Sequence, residues 1–292
     1  MAYTNTNENL SQTASLWDNA PYIKNDAIFI ADSHFMPLDM PLNEKGRDAS
    51  QALLAYFENL NNNPHTIPSQ IFLMGDIAHL LLGGVDSSHR ANHALLAHIE
   101  SLSQKSQIWW FEGNHDFGLK ASFKGLPCLE SVYLIPRTEQ PKAFIYESQN
   151  TKKHLLLAHG DIFLNAKYEF YIRLMNTRYL RFLIYLLDNV TFGNLYHSIA
   201  KKVNHNTIRV GKVSMEHFAP MRINAYRTYM QHIIQGKMQD IDVIIEGHFH
   251  IGKTYKGNND ETLYVSLPSF YVSRSIFDIK SIFHNTSFAQ GE

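Results

Sequence analysis

Five apolar runs punctuate the chain, and each of them ends abruptly on polar groups. They are "AIFIADSH" (27–34), "IFLMGD" (71–76), "IWWFEGNHD" (108–116), "HLLLAHGD" (154–161) and "DVIIEGHFH" (242–250). Near-continuous apolar runs of this length suit strands buried on both faces. After the first run comes "DASQALLAYFENL", and after the second "SSHRANHALLAHIESL"; both carry helical spacing, the latter with Ser87 or Ser88 as N-cap. Further strands are predicted at "KAFIYES", "TLYVSL" and "SIFDIKSIF". Alternation of strand and helix predicts an α/β architecture, and in open α/β sheets the working groups lie beyond the carboxyl ends of the strands.

The pattern changes from Leu164 to about Gly236. "YEFYIRLMNTRYLRFLIYLLDNV" and the residues after it predict helices without strands. Here Lys167, Arg173, Arg178, Arg181, Lys201, Lys202, Arg209, Lys212, Arg222 and Arg227 face only Glu169, Asp188 and Glu216. The expected organisation is a flexible leader over 1–24 and one domain over 25–292, interrupted by a helical insertion at 164–236.

Charge and cysteine content exclude several classes. A formal net charge of -1 over 292 residues gives no footprint for a general nucleic-acid binder. Cys128 is the single cysteine, so no intrachain disulfide supports the fold. The polar start "MAYTNTNENLSQTASLWDNAPY" has neither the basic nor the apolar region of a signal peptide, and no apolar run has the length of a spanning helix. A cytoplasmic protein is expected. Histidine, at sixteen, is the conspicuous excess.

The five endings read D-x-H, G-D, G-N-H-D, H-G-D and G-H-x-H. Carboxylate, imidazole and amide oxygen together suit Mn²⁺, Fe or Zn²⁺. Asp32, His34, Asp76, Asn114, His159, His248 and His250 are more than one ion needs and enough for two that share a carboxylate. Paired ions can clamp the attacking and leaving oxygens of an in-line displacement at phosphorus. Glycines at 75, 113, 160 and 247 allow sharp turns and close backbone approach. His89 and His93, one helical turn apart, are expected on a solvated helix face, and His79 is assigned no role.

In this order and spacing the motifs resemble the calcineurin-like metallophosphoesterases. The resemblance implies a β-sandwich flanked by helices, with a helical cap near the active site and two divalent ions, Mn²⁺ foremost, with Fe or Zn²⁺ as alternatives. It implies that Asp32, His34 and His250 hold the first ion, that Asp76 bridges, and that Asn114, His159 and His248 complete the second site. His115 would face the phosphate or the leaving oxygen, with Asp116 orienting its ring.

The stretch "HGDIF" and the helical block after it also resemble the UDP-2,3-diacylglucosamine diphosphatases of lipid A biosynthesis. That likeness implies cleavage of a lipid-linked nucleotide sugar to UMP and 2,3-diacylglucosamine 1-phosphate. Tyr171, Arg173, Arg178 and Arg181 become candidate substrate-binding residues. An anionic membrane surface becomes a partner, with peripheral association at the inner membrane. Where those enzymes carry Arg this chain has His115, the general phosphoesterase residue. Another phosphomonoester, phosphodiester or nucleotide is the alternative substrate. A non-catalytic scaffold of the same fold would have no need of the full ligand set. Oligomeric state is not specified by the sequence.

Overall fold

The computed structural model describes residues 16–120, 127–148, 151–175, 177–204, 208, 213–233, 241–257 and 262–284. Most of the leader, together with Arg209 and Lys212, lies outside the described residues. The first half of the chain runs β1 (Tyr22–Ile23), β2 (Ile28–Ile30), α1 (Glu44–Asn62), β3 (Gln70–Leu73), β4 (Leu81–Leu82), α2 (Asp86–Ala91), α3 (His93–Ser103), β5 (Gln107–Phe111), β6 (Asp116–Phe117) and β7 (Tyr133–Ile135). Then come β8 (Lys142–Ser148), β9 (Thr151–Ala158), α4 (Ala166–Met175), α5 (Arg178–Val190), α6 (Asn194–Asn204) and α7 (Met215–Ile233). The chain closes on β10 (Val243–Glu246), β11 (Lys253–Lys256), β12 (Leu263–Ser266), α8 (Phe270–Ser273), β13 (Phe277–Asp278) and α9 (Ile279–His284).

Two sheets stack face to face. One has the order β1-β8-β9-β10-β12-β11, the other β13-β2-β3-β5-β7, and β4 pairs with β6 apart from both. The period of two along each strand explains why the apolar runs are continuous. On β3 and its extension, Phe72 and Met74 enter the core between the sheets, while Ile71 and Leu73 pack outward under α1 and α3. On β10, Val243 and Ile245 face the other sheet and Ile244 packs with Ala219, Ile223 and Tyr226 of α7. The result is the expected α/β sandwich flanked by helices, with α7 as the outer layer on the six-stranded sheet. Trp109 and Trp110 divide the same way. Trp109 stacks between Phe72 and Tyr133 in the inter-sheet core, whereas Trp110 packs toward the helices.

β2, β3 and β5 are parallel, as are β9, β10 and β12. Each set therefore delivers its carboxyl ends to one edge of its sheet.

Three local expectations change. "SSHRANHALLAHIESL" forms two helices divided at Asn92, whose side-chain amide donates to the carbonyls of Leu80 and Ser88. Ser87 and Ser88 lie inside α2 rather than capping it; the Ser88 hydroxyl accepts from the Leu82 amide and the Ser87 hydroxyl donates to Asp188. "SIFDIKSIF" yields only the two-residue β13 before turning into α9, since a short apolar run does not by itself separate strand from helix.

Between β9 and β10 the described residues form helices alone. α5 starts at Thr177, whose hydroxyl accepts from the Leu180 amide, and is tied to the core where Asp188 accepts from Ser87. No described helix is long and apolar enough to cross a membrane.

Candidate metal centre

After β2, β3 and β10 the ligands cross the sheet edge through strained backbone. Asp32, His34, Asp76, His248 and His250 all have positive φ, between 45° and 60°. Non-glycine residues seldom adopt this region, and such outliers cluster where a surrounding structure over-determines them. Glycines make the approach possible. A Cβ on Gly113 would stand 2.2 Å from Asp76 Oδ1, and one on Gly75 would stand 2.3 Å from His159 Nδ1.

The side chains converge in two main groups. Asp32, His34 and His250 form one, and Asp76, His159 and His248 the other; in each, one potential ligand atom per residue lies within 4.8 Å of the others. Asn114 joins the second group, with Oδ1 3.4 Å from His159 Nε2. All seven sequence-predicted ligands are thus brought to one place, drawn from β2, β3, β5, β9 and β10.

Hydrogen bonds behind the rings fix which atoms face inward. His159 Nδ1 donates to the Met74 carbonyl at 2.9 Å, which leaves Nε2 facing Asn114 Oδ1 and, at 3.5 Å, Asp76 Oδ2; burial disfavours the charged ring, but the Asp76 carboxylate raises its pKa well above the ordinary range. In the other group the order is read through His79. Its Nε2 donates to the Val203 carbonyl at 3.2 Å, which leaves Nδ1 to accept from His34 Nδ1 at 3.3 Å. His34 Nε2 is then a lone pair facing His250 Nε2 at 3.4 Å, with Asp32 Oδ1 3.1 Å from His250 Nε2. Imidazole nitrogens and carboxylate oxygens gathered in this way offer a cation several ligand atoms at once. Outer partners that lock a ligating imidazole are the usual support of a metal site, and these residues fit two divalent ions.

Burial keeps several of the rings in the ligating form. It holds His34 well below its ordinary range, His79 down to about 4 and His248 down to about 3, with neighbouring imidazoles adding to the effect. At Asp76 burial opposes ionisation, but the rings of His159 and His115 hold the carboxyl well below the usual range.

His115 sits beside this cluster, its ring 5.1 Å from that of His34 and perpendicular to it. Its amide donates to Asp76 Oδ1 at 2.8 Å, and Nδ1 donates to the His79 carbonyl at 2.8 Å. The expected role of Asp116 is corrected by these contacts. Asp116 is buried and accepts from the amides of Asp76, Ile77 and Gly113 and from the Trp110 indole, at 2.7–3.1 Å. It braces the turns that carry Asp76 and Asn114; the His79 carbonyl orients His115. Burial and the Asp76 charge push the Asp116 carboxyl up to about 8.

The candidate substrate residues lie elsewhere. Tyr171 and Arg173 are exposed on α4 and Arg178 is exposed at the start of α5. Arg181 is half-buried, with Cδ about the position a Cβ on Gly118 would meet, at 3.0 Å, two residues beyond Asp116. His89 is half-buried with Nε2 donating to the Leu82 carbonyl, and His93 is exposed.

Sequence reasoning passed over His79, Gln140, Arg137 and Arg222. The Gln140 side-chain carbonyl accepts from the His159 amide at 2.7 Å. Arg137 holds the loop after His159, donating to the Asp161 carboxylate at 2.7 Å and carbonyl at 2.8 Å, and reaches Glu169 on α4. Because these groups mostly grip backbone, no residue spacing announces them.

Among solved structures, a dimetal phosphatase from Danio rerio is 15% identical, covering 83% of this chain and 87% of its own at a TM-score of 0.40. Phosphopantetheinyl hydrolase from Mycobacterium tuberculosis is 10% identical, with coverages of 87% and 95% and a TM-score of 0.37. A predicted phosphoesterase from Streptococcus pneumoniae TIGR4 is 12% identical, with coverages of 84% and 73% and a TM-score of 0.33. No curated protein matches the sequence. The calcineurin-like phosphoesterase family model matches residues 27–252, most of the chain, and the chain therefore belongs to that family of metal-dependent phosphohydrolases.

Proposed function

We propose that this phosphohydrolase cleaves the pyrophosphate of UDP-2,3-diacylglucosamine, giving UMP and 2,3-diacylglucosamine 1-phosphate, and that it works against an anionic membrane surface on the cytoplasmic side. One observation carries the lipid assignment. Along α5, Tyr179, Phe182, Leu183, Leu186, Leu187 and Val190 recur at helical spacing, and all six are exposed. Phe170, Tyr171 and Leu174 extend the apolar surface on α4, with Lys167, Arg173 and Arg178 exposed among them. Amphipathic basic helices with an uncovered apolar face suit acyl chains and anionic lipid. The helical block that carries this surface touches segments next to the metal ligands, with Arg181 of α5 on Gly118 and the Val203 carbonyl of α6 accepting from His79.

Asp32, His34 and His250, and Asp76, Asn114, His159 and His248, would hold two divalent ions, Mn²⁺ in this proposal, which would supply Lewis-acid charge to the phosphoryl oxygens. The chain's own groups do the positioning. Asp116 and Gly113 set the turn that presents Asn114 and His115. His115, fixed through its amide and Nδ1, offers Nε2 for proton transfer at a phosphate or leaving oxygen. Arg181 is the best placed of the candidate arginines to meet pyrophosphate charge.

A second reading, a water-soluble phosphomonoester, phosphodiester or nucleotide as substrate, is favoured by His115 standing where lipid-precursor diphosphatases have Arg. Incubation with UDP-2,3-diacylglucosamine and Mn²⁺ decides between the two. Release of UMP is expected; no UMP alongside cleavage of bis-p-nitrophenyl phosphate establishes the second reading instead.

A further inference from the structure

Arg222 projects from α7 into a fully buried position between two ligand-bearing loops. One guanidinium serves both loops. NH1 donates to the Ile162 carbonyl at 2.9 Å and NH2 to the Gly160 carbonyl at 3.2 Å, in the loop that follows His159. Nε donates to Glu246 Oε2 at 3.0 Å, NH2 also pairs with Glu246 Oε1, and the cation lies 5.1 Å from the centre of the Phe249 ring, on either side of His248. The hydroxyls of Tyr226 and Tyr264 each donate to Glu246 at 2.6 Å.

This arrangement differs from an ordinary buried ion pair. Glu246 has two tyrosine donors besides the arginine, so Arg222 is not its sole support. The bonds to Gly160 and Ile162 have no part in neutralising Glu246. β9 and β10 pair as far as Ala158 and Glu246, and these bonds carry the tie beyond the ladder, into the loops that follow His159 and bear His248. Both histidines belong with Asp76 in the same acceptor group. Only the planar fork of an arginine reaches two carbonyls and a carboxylate together.

We infer that Arg222 is a positioning residue for the metal site of Asp76, Asn114, His159 and His248. It acts by clamping the two loops rather than by balancing charge in the core. The inference rests on the two-metal reading above.

Two variants separate clamp from charge balance. Arg222→Met with Glu246→Gln removes both charges and leaves the two carbonyls without their clamp. Arg222→Lys keeps the charge and loses the fork. Metal-stripped protein is titrated calorimetrically with Mn²⁺, and cooperative unfolding is followed by circular dichroism. Wild type is expected to bind two equivalents. The double variant is expected to melt cooperatively and to keep one equivalent, with the other weakened about 10–100-fold, the usual effect of losing an outer partner of a metal ligand. Arg222→Lys is expected to show the same selective loss, which carries the test if the double variant does not fold. Phe57→Leu, on the buried face of α1, supplies a destabilised control with both equivalents intact. Wild-type binding of both equivalents in either folded variant, or equal weakening of both, overturns the clamp and leaves the two-metal reading standing. A wild-type chain that binds no Mn²⁺ removes that reading and the inference together.

Discussion

At the strand ends, carboxylates and imidazoles are buried; along α5, large apolar side chains are exposed. Asp32, Asp116 and His159 have no accessible surface, while Tyr179 is 80% exposed and Val190 68% exposed. Folding on its own terms would reverse both choices. A buried, unpaired charge is costly, and a large apolar side chain gains about 1.5–3 kcal/mol when covered. The two regions therefore point outward to different things. In the proposed function the metal ligands at the strand ends receive cations and a phosphate, and the α5 face receives an apolar companion. On that proposal the chemistry sits on the sandwich and the choice of substrate on the helices beside it.

The largest way to break this contrast is at Asp76. Asp76→Ala removes a ligand and the acceptor of the His115 amide at once. Turnover of bis-p-nitrophenyl phosphate should fall by roughly 10³-fold or more, since lost transition-state charge stabilisation is expensive in a buried site. Near-wild-type turnover would show that the strand ends are not the reacting centre.

Much of that centre was legible in the sequence, for a physical reason. A strand buried on both faces must be apolar, so Asp32, Asp76, His159 and His248 stand out where the runs stop. The role of Asp116 was not legible. Adjacency suggested that it steadies His115, whereas its carboxylate reaches amides 39 and 40 residues away in the chain, on the turn after β3. Arg222 and Arg137 were equally silent, because their partners include backbone carbonyls that any residue supplies. The left-handed backbone at five ligands has no sequence signature at all, since Asp and His at those positions look like ordinary turn residues. The exposed stripe on α5 was visible only as an apolar, aromatic and basic segment; which side of the helix is left uncovered depends on how α5 packs.

Gly113 sharpens the comparison without removing any ligand. A Cβ there collides with the Asp76 carboxylate, so Gly113→Ala should lower Mn²⁺ affinity by about 10–100-fold, as displacement of a ligand's support does elsewhere. Calorimetric titration measures it, and an unchanged affinity would mean that the Asp76 carboxylate is free to move without consequence.

A smaller effect is expected from the opposite region. Leu183→Ser with Leu187→Ser thins the apolar stripe and touches none of the Asp and His ligands. Sedimentation with liposomes of phosphatidylglycerol and phosphatidylethanolamine should drop several-fold, while hydrolysis of bis-p-nitrophenyl phosphate stays within about twofold, since surface substitutions away from a site usually cost about 0.5 kcal/mol or less. Unchanged lipid binding would detach α5 from the membrane proposal.

The central claim is that two ions at the strand ends make this chain a phosphohydrolase. Its most direct test titrates metal-stripped protein with Mn²⁺ while hydrolysis of bis-p-nitrophenyl phosphate is followed in the same samples. Two equivalents should bind per chain, with turnover absent in the stripped protein and reaching its plateau as the second equivalent is taken up. Full turnover in the stripped protein, or two bound equivalents with no turnover of that ester or of UDP-2,3-diacylglucosamine, would contradict the account.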